Sequence, residues 1–262
     1  MTAKMAEART RRRIAGEETW QIAATEYRRM LELLRTLGEA DWPLQTDCTA
    51  WDVRAMLGHL VGAAEGIASP PEMFHQYRAG AKLVRAGRTD GTRPVDGGNA
   101  VQVAERADAT TSELIARYEV VIPRALRWRR RLRWIPVSMD DDGGRFSMRE
   151  LYEVVLTRDI WIHRVDISRA TGRAMVLTPE HDGRIVEDCV IDWAKKHGRP
   201  FDLLLTGRAD VASTAPPWER GSCFRFVDDA QGTGFEVWMG SSRSRGRCKR
   251  AATTAFLGDC RN

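Results

Sequence analysis

The chain has 262 residues, enough to bury a full core, so one large or two modest domains are expected. Charged residues make up 29% and hydrophobic ones 43%, and no apolar run is long enough to span a bilayer, which excludes a helical membrane protein. The net charge of +5 resides in the ends: residues 1–14 carry +4 and residues 241–262 carry +5, leaving −4 on the body, which argues against nucleic acid as a partner.

The basic leader, residues 1–17, lacks the apolar segment of a secretory signal, so a cytoplasmic location is expected. A first amphipathic helix is predicted from about Trp20 to Leu37, with Ala23, Tyr27, Met30, Leu31 and Leu34 at helical spacing. Thr49 and Asp52 resemble an N-terminal cap for a second helix, WDVRAMLGHLVGAAEGI. Val53, Leu57, Leu60 and Val61 form its apolar face, and His59 lies beside that face. After Ser69-Pro70-Pro71 a shorter helix spans about Glu72 to Ala86. The following GRTDGTRPVDGGN reads as a mobile loop. A long helical segment runs from near Ala100 to about Trp134, with Pro123 forcing a kink or restart. Its Arg-rich end, WRRRLRW, reads as a solvated C-terminal helix end rather than a phosphate site.

Asp140 to Gly144 form a turn before the helix that organises the chain, Ser147 to Gly172. Ser147 and Glu150 have the form of a capping box, and Gly172 fits the left-handed residue that closes a helix. Apolar residues surround much of this helix, so it should be largely buried. Asp159, His163 and Asp166 nevertheless share one stripe of it, at spacings of four and three. Beyond Gly172, Thr178-Pro179 opens a helix to about His197, FDLLLTG reads as a strand, and CFRFVDD with GFEVWMG reads as a hairpin. The predicted organisation is a leader (1–17), a helical bundle (18–174), a small α+β domain (175–240) and an irregular basic tail (241–262).

Five scattered cysteines without a CxxC pair argue for reduced thiols. Cys48 is read as a buried structural thiol, and His75, His181 and His197 as surface residues. There is no GxSxG, P-loop or GxGxxG. Two ligands at i and i+4 plus one from a neighbouring helix can form a three-ligand metal site inside a bundle. Asp159 and His163 would supply the pair and His59 the third, a set suited to a divalent metal, zinc by preference, with an open position for water or a thiol. Asp166 could orient His163 from behind. Spacing alone leaves the plain alternatives open: His59 as a partly buried helix histidine, and Asp159–His163 as an i,i+4 pair with Arg158 and Arg164 as further partners.

The segment CTAWDVRAMLGHLVG resembles the second-helix motif of the mycothiol-dependent maleylpyruvate isomerase family, part of the wider DinB-like metal-binding bundles. TRDIWIHRVDI resembles that family's second motif, and the small domain resembles its sterol-carrier-like C-terminal module. The resemblance implies a mainly α protein, a DinB-like up-down four-helix bundle followed by a small α+β domain. It implies one metal, typically zinc, held by His59, Asp159 and His163, and mycothiol or a similar thiol as co-substrate. The metal-activated thiol would add reversibly to an unsaturated small molecule, letting a cis double bond rotate to trans. The implied activity is thiol-dependent isomerisation or thiol transfer on a small electrophile. The alternative is a non-catalytic, metal-stabilised binding module for an apolar ligand or protein partner. Asp159 stands where the family usually has the longer glutamate, and the basic tail replaces the region of the family's conserved arginine, so no catalytic arginine is carried over.

Overall fold

A computed structural model of the chain describes residues 13–89, 91–141 and 144–197 and the short strands 202–204, 227–228, 235–240 and 249–251. Its contacts divide the chain into two units, the first spanning Gly16–Arg173 and the second formed mainly by residues from Ala174 onward.

The first unit is a helical bundle. Helices α1 (Glu17–Leu34), α2 (Val53–Ala68), α5 (Thr111–Leu132) and α7 (Leu156–Thr171) close a ring in which α1 meets α7 and α5, and α2 meets α5 and α7. Apolar residues of all four helices face inward: Tyr27, Met30 and Leu34 of α1, Met56, Leu57 and Leu60 of α2, Leu114 and Tyr118 of α5, and Ile160 and Ile167 of α7 share one core. Burying each such side chain is worth about 1.5–3 kcal/mol. Cys48 and Trp42, in the connection after α1, are buried in the same core. Asp52 caps α2 by accepting from the Ala55 N–H at 2.7 Å. Among the described residues no helix is long and apolar enough to cross a membrane.

Helices α3 (Pro70–Arg85) and α4 (Pro94–Ala104) pack on each other and on α2. The presence of α4 corrects two expectations. The second half of the predicted loop is helical, started by Pro94 in the first turn and by the Asp96 side chain accepting from the Arg93 N–H at 2.8 Å. Of its two glycines, which disfavour helix locally, Gly97 is required by packing, since a Cβ there would lie 2.4 Å from the Gly80 carbonyl oxygen, whereas a Cβ on Gly98 would meet open space. The long helix expected from Ala100 to Trp134 is also two helices. Thr110 and Glu113 form a reciprocal capping box that starts α5 afresh, while Pro123 stays inside it.

A two-stranded hairpin, β1 (Ser138–Asp141) and β2 (Gly144–Ser147), leads into α6 (Met148–Glu150). Ser147 accepts from the Glu150 N–H at 3.1 Å, so one half of the predicted cap is present. Between α6 and α7 the helix widens into a π-turn, Leu151–Val155, which nothing in the sequence predicts. Gly172 closes α7 with φ of 65°, the left-handed conformation expected of it.

In the second unit a π-turn, Pro179–Gly183, precedes α8 (Arg184–His197). Ile185, Val186 and Val190 of the predicted inner side are buried and Cys189 is half-buried, while the Trp193 side chain lies outside the described residues. His181 is buried, against the expectation of a surface residue. Strands β3 (Asp202–Leu204), β4 (Val227–Asp228) and β6 (Lys249–Ala251) each pair antiparallel with β5 (Phe235–Gly240). β6 comes from the segment expected to be irregular. The rest of that tail, and the leader before Arg13, lie outside the described residues.

Candidate metal centre

The helical stripe on α7 faces α2, and it brings His59, Asp159 and His163 together. His59 Nε2 lies 3.8 Å from Asp159 Oδ2, and His163 Nε2 lies 3.4 Å from Asp159 Oδ1. The two imidazole rings meet edge to face with centroids 5.0 Å apart. Trp51, just before α2, lies against His59 at 4.6 Å between centroids and reaches His163 at 6.1 Å. It forms an apolar wall that the sequence reading did not assign to the site. Asp166 Oδ2 stands 3.7 Å from His163 Nδ1, on the side away from Asp159.

Both histidines are about 95% buried, whereas the Asp159 side chain is 42% exposed, so the carboxylate is the open side of the cluster. Neither ring nitrogen of His59 has a hydrogen-bond partner, nor does His163 Nδ1 or Asp166 Oδ2. A buried polar atom without a partner costs about 1–3 kcal/mol, so this arrangement is expensive unless something completes it. The donors fit a metal ion. Ligands at about 2.0–2.2 Å from zinc stand no more than about 4.4 Å apart, and the separations of 3.4 and 3.8 Å fall inside that limit.

The electrostatics agree with the geometry. Burial pushes the His59 imidazole below its ordinary value and Asp159 only partly opposes it, leaving the neutral ring that ligates metals. Burial alone would raise the Asp159 carboxyl, but His163 and His59 together hold it well below the usual carboxylate range. For His163 burial pushes down, and Asp159 and Asp166 outweigh it and raise the ring to about 10. Without a metal the two α7 residues thus form an ion pair, and a metal would take the place of that proton.

Arg164, one ordinary charge partner within reach of α7, is engaged elsewhere. Arg164 makes a two-pronged pair with Glu26 of α1 at 2.6 and 3.0 Å, both side chains fully or almost fully buried. Tyr27, Tyr118 and Arg129 fill the interior beside the cluster, and the Tyr118 hydroxyl has no hydrogen-bond partner. Burial raises the Tyr118 phenol well above its ordinary value. Nothing at helical spacing marked these residues, because each approaches from a different helix. His75 is exposed and pairs with Glu105 at 2.7 Å, outside the cluster. The His197 side chain lies outside the described residues.

Residues 23–168, more than half the chain, match the family described as the mycothiol maleylpyruvate isomerase N-terminal domain, and the chain belongs to that family. The match runs from within α1 to within α7 and includes all three clustered residues. Two solved structures are also similar, the mycothiol-dependent maleylpyruvate isomerase at 14% identity and a histidine-to-alanine mutant of it at 13%. Each has a TM-score of 0.48 and covers 72% of this chain and 75% of its own. No curated protein matches the chain.

Proposed function

We propose that the chain is a metal- and thiol-dependent enzyme in which His59, Asp159 and His163 hold one divalent ion, zinc by preference. It would catalyse isomerisation or thiol transfer on a small electrophile, with mycothiol or a similar low-molecular-weight thiol as co-substrate. The observation that carries the reading is His59, a buried imidazole with both nitrogens unpaired that faces a carboxylate and a second histidine inside a bundle of this family. The ion, when bound, would supply Lewis acidity that converts a coordinated thiol to its thiolate.

The chain's own residues have separable tasks. His59 contributes a neutral ring, and Asp159 contributes the negative charge at the open side of the site. Asp166, 3.7 Å behind His163 Nδ1, would orient the ring on closing to hydrogen-bond distance and so make it a stronger ligand. Trp51 and the core around the rings keep water from the buried side. A conjugate addition followed by elimination of the same thiol would let a cis double bond rotate. The bundle carries this chemistry. The expected partners are the thiol and a small-molecule substrate, and the expected compartment is the cytoplasm.

The test is turnover of maleylpyruvate and simpler cis-unsaturated keto acids by the zinc-loaded chain. The expected result is isomerisation or thiol adduct formation only when mycothiol is present, abolished in His163→Ala. Metal binding with thiol-independent behaviour toward every electrophile would leave a binding module and contradict the enzyme.

A further inference from the structure

Arg129 has no part in the site described so far. It belongs to the Arg-rich end of α5 that reads as solvated, yet its side chain is fully buried, while Arg130 and Arg131 beside it are exposed. Burying a guanidinium is costly, and helix-end arginines usually keep their heads in water. Burial pushes Arg129 below its ordinary value, and the groups acting on it next are the phenols of Tyr27, Tyr118 and Tyr152.

Its two hydrogen bonds indicate what that burial secures. Nε donates to the Tyr152 carbonyl at 2.9 Å, and Nη2 donates to Thr157 Oγ1 at 2.7 Å. Tyr152 lies within the π-turn Leu151–Val155, and Thr157 lies in the first turn of α7. One guanidinium therefore clasps the π-turn from both ends. A π-turn takes one more residue than an α-turn, which shifts the face of everything after it by about 100°. Asp159 follows Thr157 by two residues, and His163 by one further turn. If Leu151–Val155 relaxed to ordinary α-helix, both side chains would swing away from His59.

We propose that Arg129 is a positioning residue for the metal centre. By holding the Tyr152 carbonyl and the Thr157 hydroxyl it keeps the π-turn in register, and so fixes the face of α7 on which Asp159 and His163 stand. This rests on the metal reading above.

The experiment uses cobalt(II) as probe with the full chain, Arg129→Met, Arg129→Lys and Thr157→Val. Leu114→Ala, a fully buried α5 substitution about four helical turns before Arg129, is the control. Visible absorption reads the ligand geometry, and competition with a chelator reads the affinity. Arg129→Met should lose about 10- to 100-fold in affinity and change the cobalt spectrum, as loss of a group that orients metal ligands does. Arg129→Lys should recover part of both. Leu114→Ala should melt earlier yet keep the parent spectrum and affinity. If Arg129→Met fails to fold, Thr157→Val decides, with a smaller loss in the same direction expected. Parent-like affinity and spectrum in the folded Arg129→Met, or in Thr157→Val where that variant decides, overturn the inference alone. So does an equal affinity loss in Leu114→Ala. A parent chain that takes up no cobalt overturns the metal reading and this inference with it.

Discussion

Two buried polar clusters sit on neighbouring residues of α7, and they are built on opposite plans. At Arg164 the cluster is closed, with a bidentate guanidinium donating to both oxygens of the Glu26 carboxylate. At His163 the cluster is open, since three donors converge on one point while His59 Nδ1, His59 Nε2 and His163 Nδ1 find no hydrogen-bond partner. A bundle that needed only a staple between helices would repeat the first plan. The second leaves buried ring nitrogens without partners, a cost that a bound ion would offset, and this difference is what motivates the metal proposal.

The comparison breaks most visibly at the closed pair. Glu26→Ala leaves Arg164 buried without its carboxylate, and denaturant unfolding should show about 3–5 kcal/mol lost. Metal content should stay unchanged in whatever fraction remains folded. Loss of metal without loss of stability would show that the two clusters are not independent.

A smaller effect is expected nearer the surface, where Glu65 accepts from Arg106 at 2.6 Å and from Arg117 at 2.8 Å. Burial tends to raise its carboxyl, but Arg117 and Arg106 outweigh that and hold it below the ordinary value of 4.5. A lowered carboxyl contributes stability above its unfolded value and loses it as pH falls through the folded one. Glu65→Gln should therefore cost about 1 kcal/mol at neutral pH. That cost should fade below about pH 4, so urea midpoints of parent and variant converge in acid. A constant gap across pH would contradict the charge-based account.

How much was legible in the sequence follows from which level of structure carried each feature. His59, Asp159 and His163 could be found because helical spacing places the α7 pair by itself and the α2 motif supplies the third residue. The Gly172 terminus was readable for the same local reason, whereas the cap of α2 falls on Asp52, three residues beyond the Thr49 position expected for it. Helix α4 was hidden because Gly97 and Gly98 argue for a loop until Gly80 is seen to need a neighbour without a side chain. The break before α5 was marked by Thr110 and Glu113 but obscured by the periodic residues on either side. Arg129 was read by the rule for helix ends, which does not know that the π-turn lies opposite. The π-turn itself has no residue signature, although it sets the direction of the site.

The most direct test is the metal content of gently purified chain, measured by elemental analysis beside His59→Ala and His163→Ala, with melting curves taken with and without added zinc. The account predicts close to one ion per parent chain and a melting temperature raised by zinc, equivalent to about 2.7 kcal/mol when free zinc is a hundredfold above Kd. Both variants should lose the ion and the shift while remaining folded. A parent chain that holds no metal, and melts identically whether or not zinc is supplied, would contradict the account and leave Asp159 and His163 as an ordinary helix pair.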